Sequence, residues 1–514
     1  MPSPASAAPE RPGASGSWHP LVLVPLALAA WVYLPITRVY FFADDFILLA
    51  SIASDRVAAF LLRPFGGHNC LGRNAVFLAS YHLLGLRADL YYWSVLLTHL
   101  LNVALLFGLL RALSASALLA CFGAALWGMS PLQAGTLGWY SVYGQVLAVT
   151  TMLLVLHGLA RLAAAGTPLA TRTACVWFVL LLVGTTFFGV GLGVALAFPF
   201  VLFLLRPDAW HQRGLRAAFL ALPAVTLALY FGLRWVANRI EPFPVDELVH
   251  EALSHSGFAA VPPMWVQLLG FSIAGTVLGF FLPGRYPDVT SVTVIVAFCA
   301  GLGVAGWRSD WPARRAMLAM LALAGGIYLV IALGRAHAYQ AFHISPEQAA
   351  AVDRYHYAGS LPVTVLLCLV LQQLGRLGGL RAVPRGLALA AGLTVLVIGY
   401  RRTGVAIDER FLCRDYFART MQETAAAVAS HPAAATVYLE NLASPRYLLG
   451  PAMPDRLFPG RAAVFLLTHG TDTLDGRRVR FIERDPEVIA WYLDRPETRL
   501  AQLLVTPEDA ARQP

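Results

Sequence analysis

Apolar residues run in long blocks from Leu21 to about Tyr400, and the gaps between the blocks are short and carry arginine. A helix needs ~20 apolar residues to cross the hydrocarbon core of a bilayer. On that measure the pattern predicts spans near 21–42, 91–110, 117–137, 146–162, 174–188, 191–205, 217–236, 289–307, 316–333, 361–374 and 386–400. The block 174–206 is too long for one crossing and reads as two short helices meeting at Phe188-Gly189. The core of the first block resembles a signal-peptide h-region, but it runs on through Trp31 to Tyr40, which favours an uncleaved anchor.

Arginine orients the spans, because short loops rich in it mark the cytoplasmic side. Arg111, Arg161, Arg172, Arg206, Arg213, Arg216, Arg308, Arg314, Arg315, Arg376, Arg381 and Arg385 fall in gaps whose only acids are Asp208 and Asp310. Segment 265–282 is apolar and about long enough to cross, yet counting it would place Arg308, Arg314 and Arg315 outside. It is therefore read as a re-entrant or interfacial hairpin, which leaves 11 spans, with 12 as the alternative. The expected fold is an all-α polytopic membrane protein, preceded by a disordered cap at 1–20 and interrupted by a long first outer loop at 43–89. Residues 401–514 are more polar, with a helical pattern at 408–429 and strand-like runs at 436–439, 479–482 and 500–505. An odd number of spans places this small α/β domain outside, opposite the N-terminus.

Composition agrees and excludes whole classes of chemistry. Of 514 residues, 58% are hydrophobic and 13% charged, against ~45–50% and ~25% in soluble domains. All 38 basic residues are arginine, so a P-loop, a kinase-type lysine and a pyridoxal Schiff base are ruled out. The net charge of +9 is scattered between apolar spans, which suits a membrane and not nucleic acid. Cys121, Cys175, Cys299 and Cys368 lie in apolar blocks, whereas Cys70 and Cys413 lie in polar segments that could face one compartment. No CxxC or Cys/His spacing points to zinc.

The first loop carries the chemistry. Asp44 and Asp45 follow the first span directly, where ionised carboxylates are costly unless they face a cavity or a partner. Adjacent carboxylates also repel, which favours a catalytic or cation-binding role; the plain alternative is a helix ending in polar residues. No new span follows them. Instead come Arg63-Pro64, Gly66-Gly67-His68-Asn69 and Arg73-Asn74, in a loop of a length that is usually functional. These arginines lie against the orientation rule, which suggests a phosphate held by guanidinium.

An Asp-Asp pair at the outer end of the first span, a long first outer loop and many further spans resemble the GT-C superfamily of membrane glycosyltransferases. That group includes protein O-mannosyltransferases and aminoarabinose-type lipid transferases. Further likenesses are His99-Leu100-Leu101-Asn102, then Ser130-Pro131 followed by Gly138-Trp139-Tyr140 and Gln145, and finally Arg354-Tyr355. The resemblance covers roughly 21–400, and its strength lies in the order of the motifs. Where many relatives carry a Lys-Glu or similar acidic pair, this chain has Phe187-Phe188-Gly189-Val190, which puts a metal requirement in question.

The resemblance implies transfer of a sugar from a polyprenyl-phosphate donor to a lipid, glycan or protein acceptor on the extracytoplasmic face of a bacterial inner or plasma membrane. Asp44 or Asp45 would be the general base, with its neighbour positioning the acceptor or a divalent ion (Mg or Mn, on Asp45). Arg354 is the first choice for the departing phosphate, with Arg63, Arg73 and Arg335 as alternates and Tyr355 beside it. Trp139, Tyr140 and Tyr143 would offer faces to a sugar ring, Gln145 a hydrogen bond, and His68 a contact to substrate or metal. Each residue also has a plainer reading. Trp139 and Tyr140 suit an interfacial belt, Arg335 a snorkelling side chain, His68 a loop histidine, and His99 with Asn102 an interhelical hydrogen bond. Gly189, Gly191 and Gly193 read as close helix packing and not as a dinucleotide loop. The rival functions are a transporter or flippase for a lipid-linked sugar, an inactive scaffold of the same fold, and an anchor for a working tail.

Overall fold

The computed structural model describes residues 19–41, 44–54, 56–65, 68–240, 258–280, 286–341, 344–377 and 385–412, with short pieces at 425–426, 428–430, 436–440, 473–474 and 477–482. The chain enters through α1 (Leu23–Tyr33), which 3-10 turns at Pro20–Val22 and Leu34–Arg38 extend into one apolar rod. The first loop is a string of short pieces: α2 (Asp44–Ser54), α3 (Val57–Leu62), a small antiparallel hairpin of β1 (Pro64–Phe65) and β2 (His68–Asn69), and α4 (Leu71–Leu84).

The bundle then builds through α5 (Ala88–Ser114), α6 (Ala117–Gly128), α7 (Ala134–Leu137), α8 (Tyr143–Ala165), α9 (Thr171–Phe187), α10 (Gly189–Leu205) and α11 (Arg213–Ile240). After it come α12 (Val261–Leu278), α13 (Val289–Arg308), α14 (Trp311–Ala341), the short α15 (Pro346–Ala350), α16 (His356–Leu377) and α17 (Arg385–Leu412). Among the described residues eight helices are long and apolar enough to cross a membrane. A ninth candidate is the pair α6 and α7, bent by 47° at Ser130-Pro131, and three shorter apolar helices lie at Thr171–Phe187, Gly189–Leu205 and Gly386–Arg401. Every span expected from the pattern coincides with one of these. The chain is therefore a multi-pass helical protein built for a bilayer.

Small residues let the helices close up. A Cβ on Gly191 would stand 2.1 Å from Gly184 O, and one on Gly193 would stand 2.7 Å from Gly326 O. The glycine run thus marks where α10 meets α9 and α14. The break at Phe188 is a single extended residue between α9 and α10. Deep in the bundle, His99 Nε2 lies 2.9 Å from Gly128 O, and a carbonyl only accepts, so Nε2 carries the proton. Its Nδ1 then accepts from Tyr357 Oη at 2.9 Å, and that hydroxyl accepts from Asn102 Nδ2 at 3.2 Å. The pair His99 and Asn102 ties α5 to α6 and α16.

The apolar segment 265–282 departs from expectation, because residues 261–278 form one continuous helix and not a hairpin. Along its length α12 meets groups near the ends of other helices and groups inside α13 and α14. Met264 shares a cavity with Tyr339 and Pro346, and Gln267 Nε2 donates to Glu347 Oε1 at 3.0 Å. The Phe271 ring lies 4.7 Å from the His356 ring, and Gly275 packs on Leu132. Trp265 donates from Nε1 to Gly325 O in the middle of α14 at 3.0 Å, and a Cβ on Gly270 would stand 3.4 Å from Ile295 Cδ1 inside α13. In the tail, β3 (Thr436–Glu440) pairs in parallel with β5 (Arg477–Ile482), and β4 (Thr473–Leu474) lies antiparallel on its other edge. Residues 500–505 and most of 408–429 lie outside the described residues.

Candidate functional site

Five pieces of chain meet at one end of the bundle: the start of α2, α4 with the hairpin before it, the turn into α8, the end of α14, and the 3-10 turn Asp353–Tyr355 before α16. Asp44 and Asp45 occupy the first turn of α2, where the helix N-terminus favours negative charge. From there their paths diverge. Asp45 is fully buried. Its Oδ1 accepts from Ser141 N and Ser141 Oγ, each at 2.6 Å, and Tyr92 Oη donates to Oδ2 at 3.4 Å. Asp44 keeps part of its surface accessible.

Arginine surrounds the acids. Arg73 is 1% exposed, yet only Nη1 has a hydrogen-bond acceptor, Ser141 O at 3.0 Å, while Nε and Nη2 have none among the described residues. Its guanidinium lies 4.9 Å from the Phe65 ring centroid. Ser141 therefore bridges the two charges, giving its N–H to Asp45 and its carbonyl to Arg73. Arg354 lies 5.1 Å from the Trp139 ring and 5.3 Å from the Tyr355 ring. Arg335 sits 5.9 Å from the centroid of the same Tyr355 ring, with Nη2 3.1 Å from His68 Nε2. The Tyr355 and Tyr339 hydroxyls are 2.7 Å apart.

Two glycines make this convergence possible. A Cβ on Gly144 would stand 2.2 Å from Phe187 O and 2.9 Å from Arg73 Cγ, and one on Gly135 would stand 2.1 Å from Asp353 Oδ1. Beside Gly135, Thr136 Oγ1 donates to Arg354 O at 3.2 Å. The stretch from Gly135 to Gly144 is thus the platform on which the Arg354 turn, Arg73 and Asp45 are mounted.

Charge settles unevenly on these groups. Burial, and after it the charge on Asp45, pushes the Asp44 carboxyl up to about 7, against the pull of Arg354, Arg73 and Arg335. Burial and the neighbouring Arg335, Arg73 and Arg234 hold His68 well below the ordinary imidazole value, so it is neutral. Burial raises the Cys70 thiol, which is free; Cys413 lies outside the described residues.

The residues expected from sequence therefore fall into groups. Asp44, Asp45, Arg73, Arg335, Arg354, Tyr355, Trp139 and His68 are gathered here. Arg63 instead donates to Ser51 within the loop. Tyr140 is buried among Phe77, Tyr91 and Tyr143, with its hydroxyl 2.9 Å from Ser80 Oγ. Gln145 is buried at the start of α8, and its Oε1 has no partner among the described residues. His68 is not on a free loop: its ring packs 4.5 Å from Phe188. Ser141, Tyr92 and Tyr339 went unnoticed in the sequence, since a serine or tyrosine near an interface carries no signal of its own.

The described residues gather few free donors for the divalent ion that the resemblance allows on Asp45. The oxygens of Asp45 are taken by hydroxyl and amide donors, three guanidinium groups face the remaining carboxylate, and no three His, Cys, Asp or Glu residues converge among the described residues. The arrangement suits an anion beside an acid that titrates near neutrality. Neither the known protein-family models nor curated protein sequences match this chain.

Proposed function

We propose that the protein is a GT-C-type glycosyltransferase that moves a sugar from a polyprenyl-phosphate donor to an acceptor on the extracytoplasmic face of the membrane. The observation that carries this reading is Asp44, partly accessible, set against Arg73, Arg335 and Arg354 at one end of a helical bundle. A carboxylate and a cation cluster are the two things such a transfer needs. Asp44 takes the proton of the acceptor hydroxyl, whose oxygen bonds to the anomeric carbon as the bond from that carbon to the phosphate oxygen breaks. The electron pair leaves with the polyprenyl phosphate, and Arg354 with Arg73 stabilises the charge that gathers there. Asp45 holds the turn at Ser141 and keeps its neighbour in place. The cavity of about 250 Å³ beside Tyr339, walled by Met264, Ala336 and Pro346, offers apolar sides to the first isoprenoid units.

Proteoliposomes holding the protein and polyprenyl-phosphate hexoses test the reading through the polyprenyl phosphate they liberate. Asp44→Asn is expected to insert normally and lose about 10²-fold or more of that turnover. Arg354→Ala is expected to weaken donor affinity by about tenfold. Full turnover in Asp44→Asn removes the base. Donor crossing to the other leaflet without loss of its sugar turns the assignment to a flippase.

A further inference from the structure

The hairpin β1–β2 is gripped from two sides. Asn69 is buried and donates from Nδ2 to Tyr230 O in α11 at 2.6 Å. His68 fills the space that Gly189 leaves open, where a Cβ would stand 2.4 Å from Nδ1. Its other nitrogen, Nε2, faces Arg335 Nη2 at 3.1 Å. A guanidinium only donates, so Nε2 accepts and the ring proton sits on Nδ1.

The choice of partner is the informative part. The close hydrogen-bond and ring partners of these three arginines are neutral, an imidazole for Arg335, a carbonyl and the Phe65 ring for Arg73, the Trp139 and Tyr355 rings for Arg354, and Asp44 acts on them only through its charge. Elsewhere the same chain holds arginine with carboxylate, as in Arg87 with Asp89 at 2.7 Å and Arg206 with Asp208 at 2.5 Å. Both kinds of acceptor orient a guanidinium, but a carboxylate also cancels its charge, and a neutral acceptor does not.

We infer that His68 is a positioning residue that aims Arg335 into the site while leaving its full positive charge for the phosphate of a lipid-linked donor. The identity of that anion rests on the transferase reading; the positioning itself rests on the geometry. The hairpin is then a delivery arm. It brings a neutral acceptor to a helix end where a carboxylate would compete with the ligand, and Gly189 and Tyr230 set how far it reaches.

The nearly isosteric pair His68→Gln and His68→Glu separates charge from shape. The full chain in nanodiscs is titrated with undecaprenyl phosphate, and thermal stability is measured for each variant. Gln offers a neutral acceptor and is expected to stay within about threefold of wild-type affinity, whereas Glu, which would pair with Arg335, is expected to bind about tenfold more weakly. In an Arg335→Ala background the gap between Gln and Glu is expected to vanish, a result that a packing role would not produce. Equal affinities for Gln and Glu, or a gap that persists without Arg335, overturns the inference, as does a wild-type chain that fails to bind undecaprenyl phosphate. If the ordering holds but no sugar is transferred, the positioning role stands and the transferase reading falls; if transfer occurs and Gln equals Glu, the reverse is true.

Discussion

Ser141 gives Asp45 two hydrogen bonds at 2.6 Å, and Asp44, one residue earlier, carries the displaced acidity of the pair. The raised carboxyl has a consequence for stability whose sign is fixed. The folded protein holds a proton on Asp44 up to about pH 7 that the unfolded chain releases near 3.8, so stability contributed by the neutral form is lost as pH rises between those values. Asp44→Asn escapes that loss. Its melting temperature is therefore expected to match wild type near pH 4 and to exceed it increasingly up to pH 8, which thermal denaturation across pH would read directly. If the protein is the proposed transferase with Asp44 as its base, the rate of transfer is expected to show the opposite face of the same titration, rising with pH through a midpoint of about 7. Asp45→Asn is a different case. It weakens charge-assisted bonds inside the fold, so a loss of ~1.5–3 kcal/mol is expected at every pH above the carboxylate range, seen as a lower melting temperature.

Between elements, the decisive features are close approaches that glycine permits. Gly144 brings the first turn of α8 against the carbonyl of Phe187 and the stem of Arg73. Gly144→Ala places a methyl where backbone stands, and overpacking of that kind costs about 1–3 kcal/mol. Gly303 is a fair control, since nothing lies within 4 Å of a Cβ there and alanine is the better helix former. Gly144→Ala is expected to melt lower and bind undecaprenyl phosphate more weakly, and Gly303→Ala to do neither. These contacts were partly legible beforehand. The break at Phe188-Gly189 followed from span length alone, and close packing at Gly191 and Gly193 from glycine inside an apolar block. The importance of Gly135 and Gly144 was not, because nothing local distinguishes a glycine that touches a distant turn from one that faces lipid.

The whole molecule turns on what α12 does. It touches Tyr339, Glu347, His356 and Leu132, and it is also one of the eight helices among the described residues that are long and apolar enough to cross; the arginine rule at Arg308, Arg314 and Arg315 favours its not crossing. Single cysteines at Ala260 and Gly279, in a chain without its native cysteines, are expected to react with a membrane-impermeant maleimide from the same side. Labelling from opposite sides would make α12 a span and move residues 401–514 to the side of the N-terminus.

What the sequence determined unaided was the medium and the rough architecture. Apolar blocks of bilayer length force helices, since no other structure within a single chain segment satisfies its backbone in lipid. It also singled out the Asp-Asp pair and the arginines that break the orientation rule. Which of them belong together was decided only in three dimensions. Arg63 and Arg73 are equivalent on paper, and one ties up the loop while the other stands buried behind Asp45. Asp44 and Asp45 are neighbours in the chain and differ because a helix turn sends one to Ser141 and leaves the other facing the arginines. Hydropathy is a property of each segment by itself; the charge that a carboxylate or guanidinium carries depends on partners tens or hundreds of residues away, and only the folded bundle supplies them.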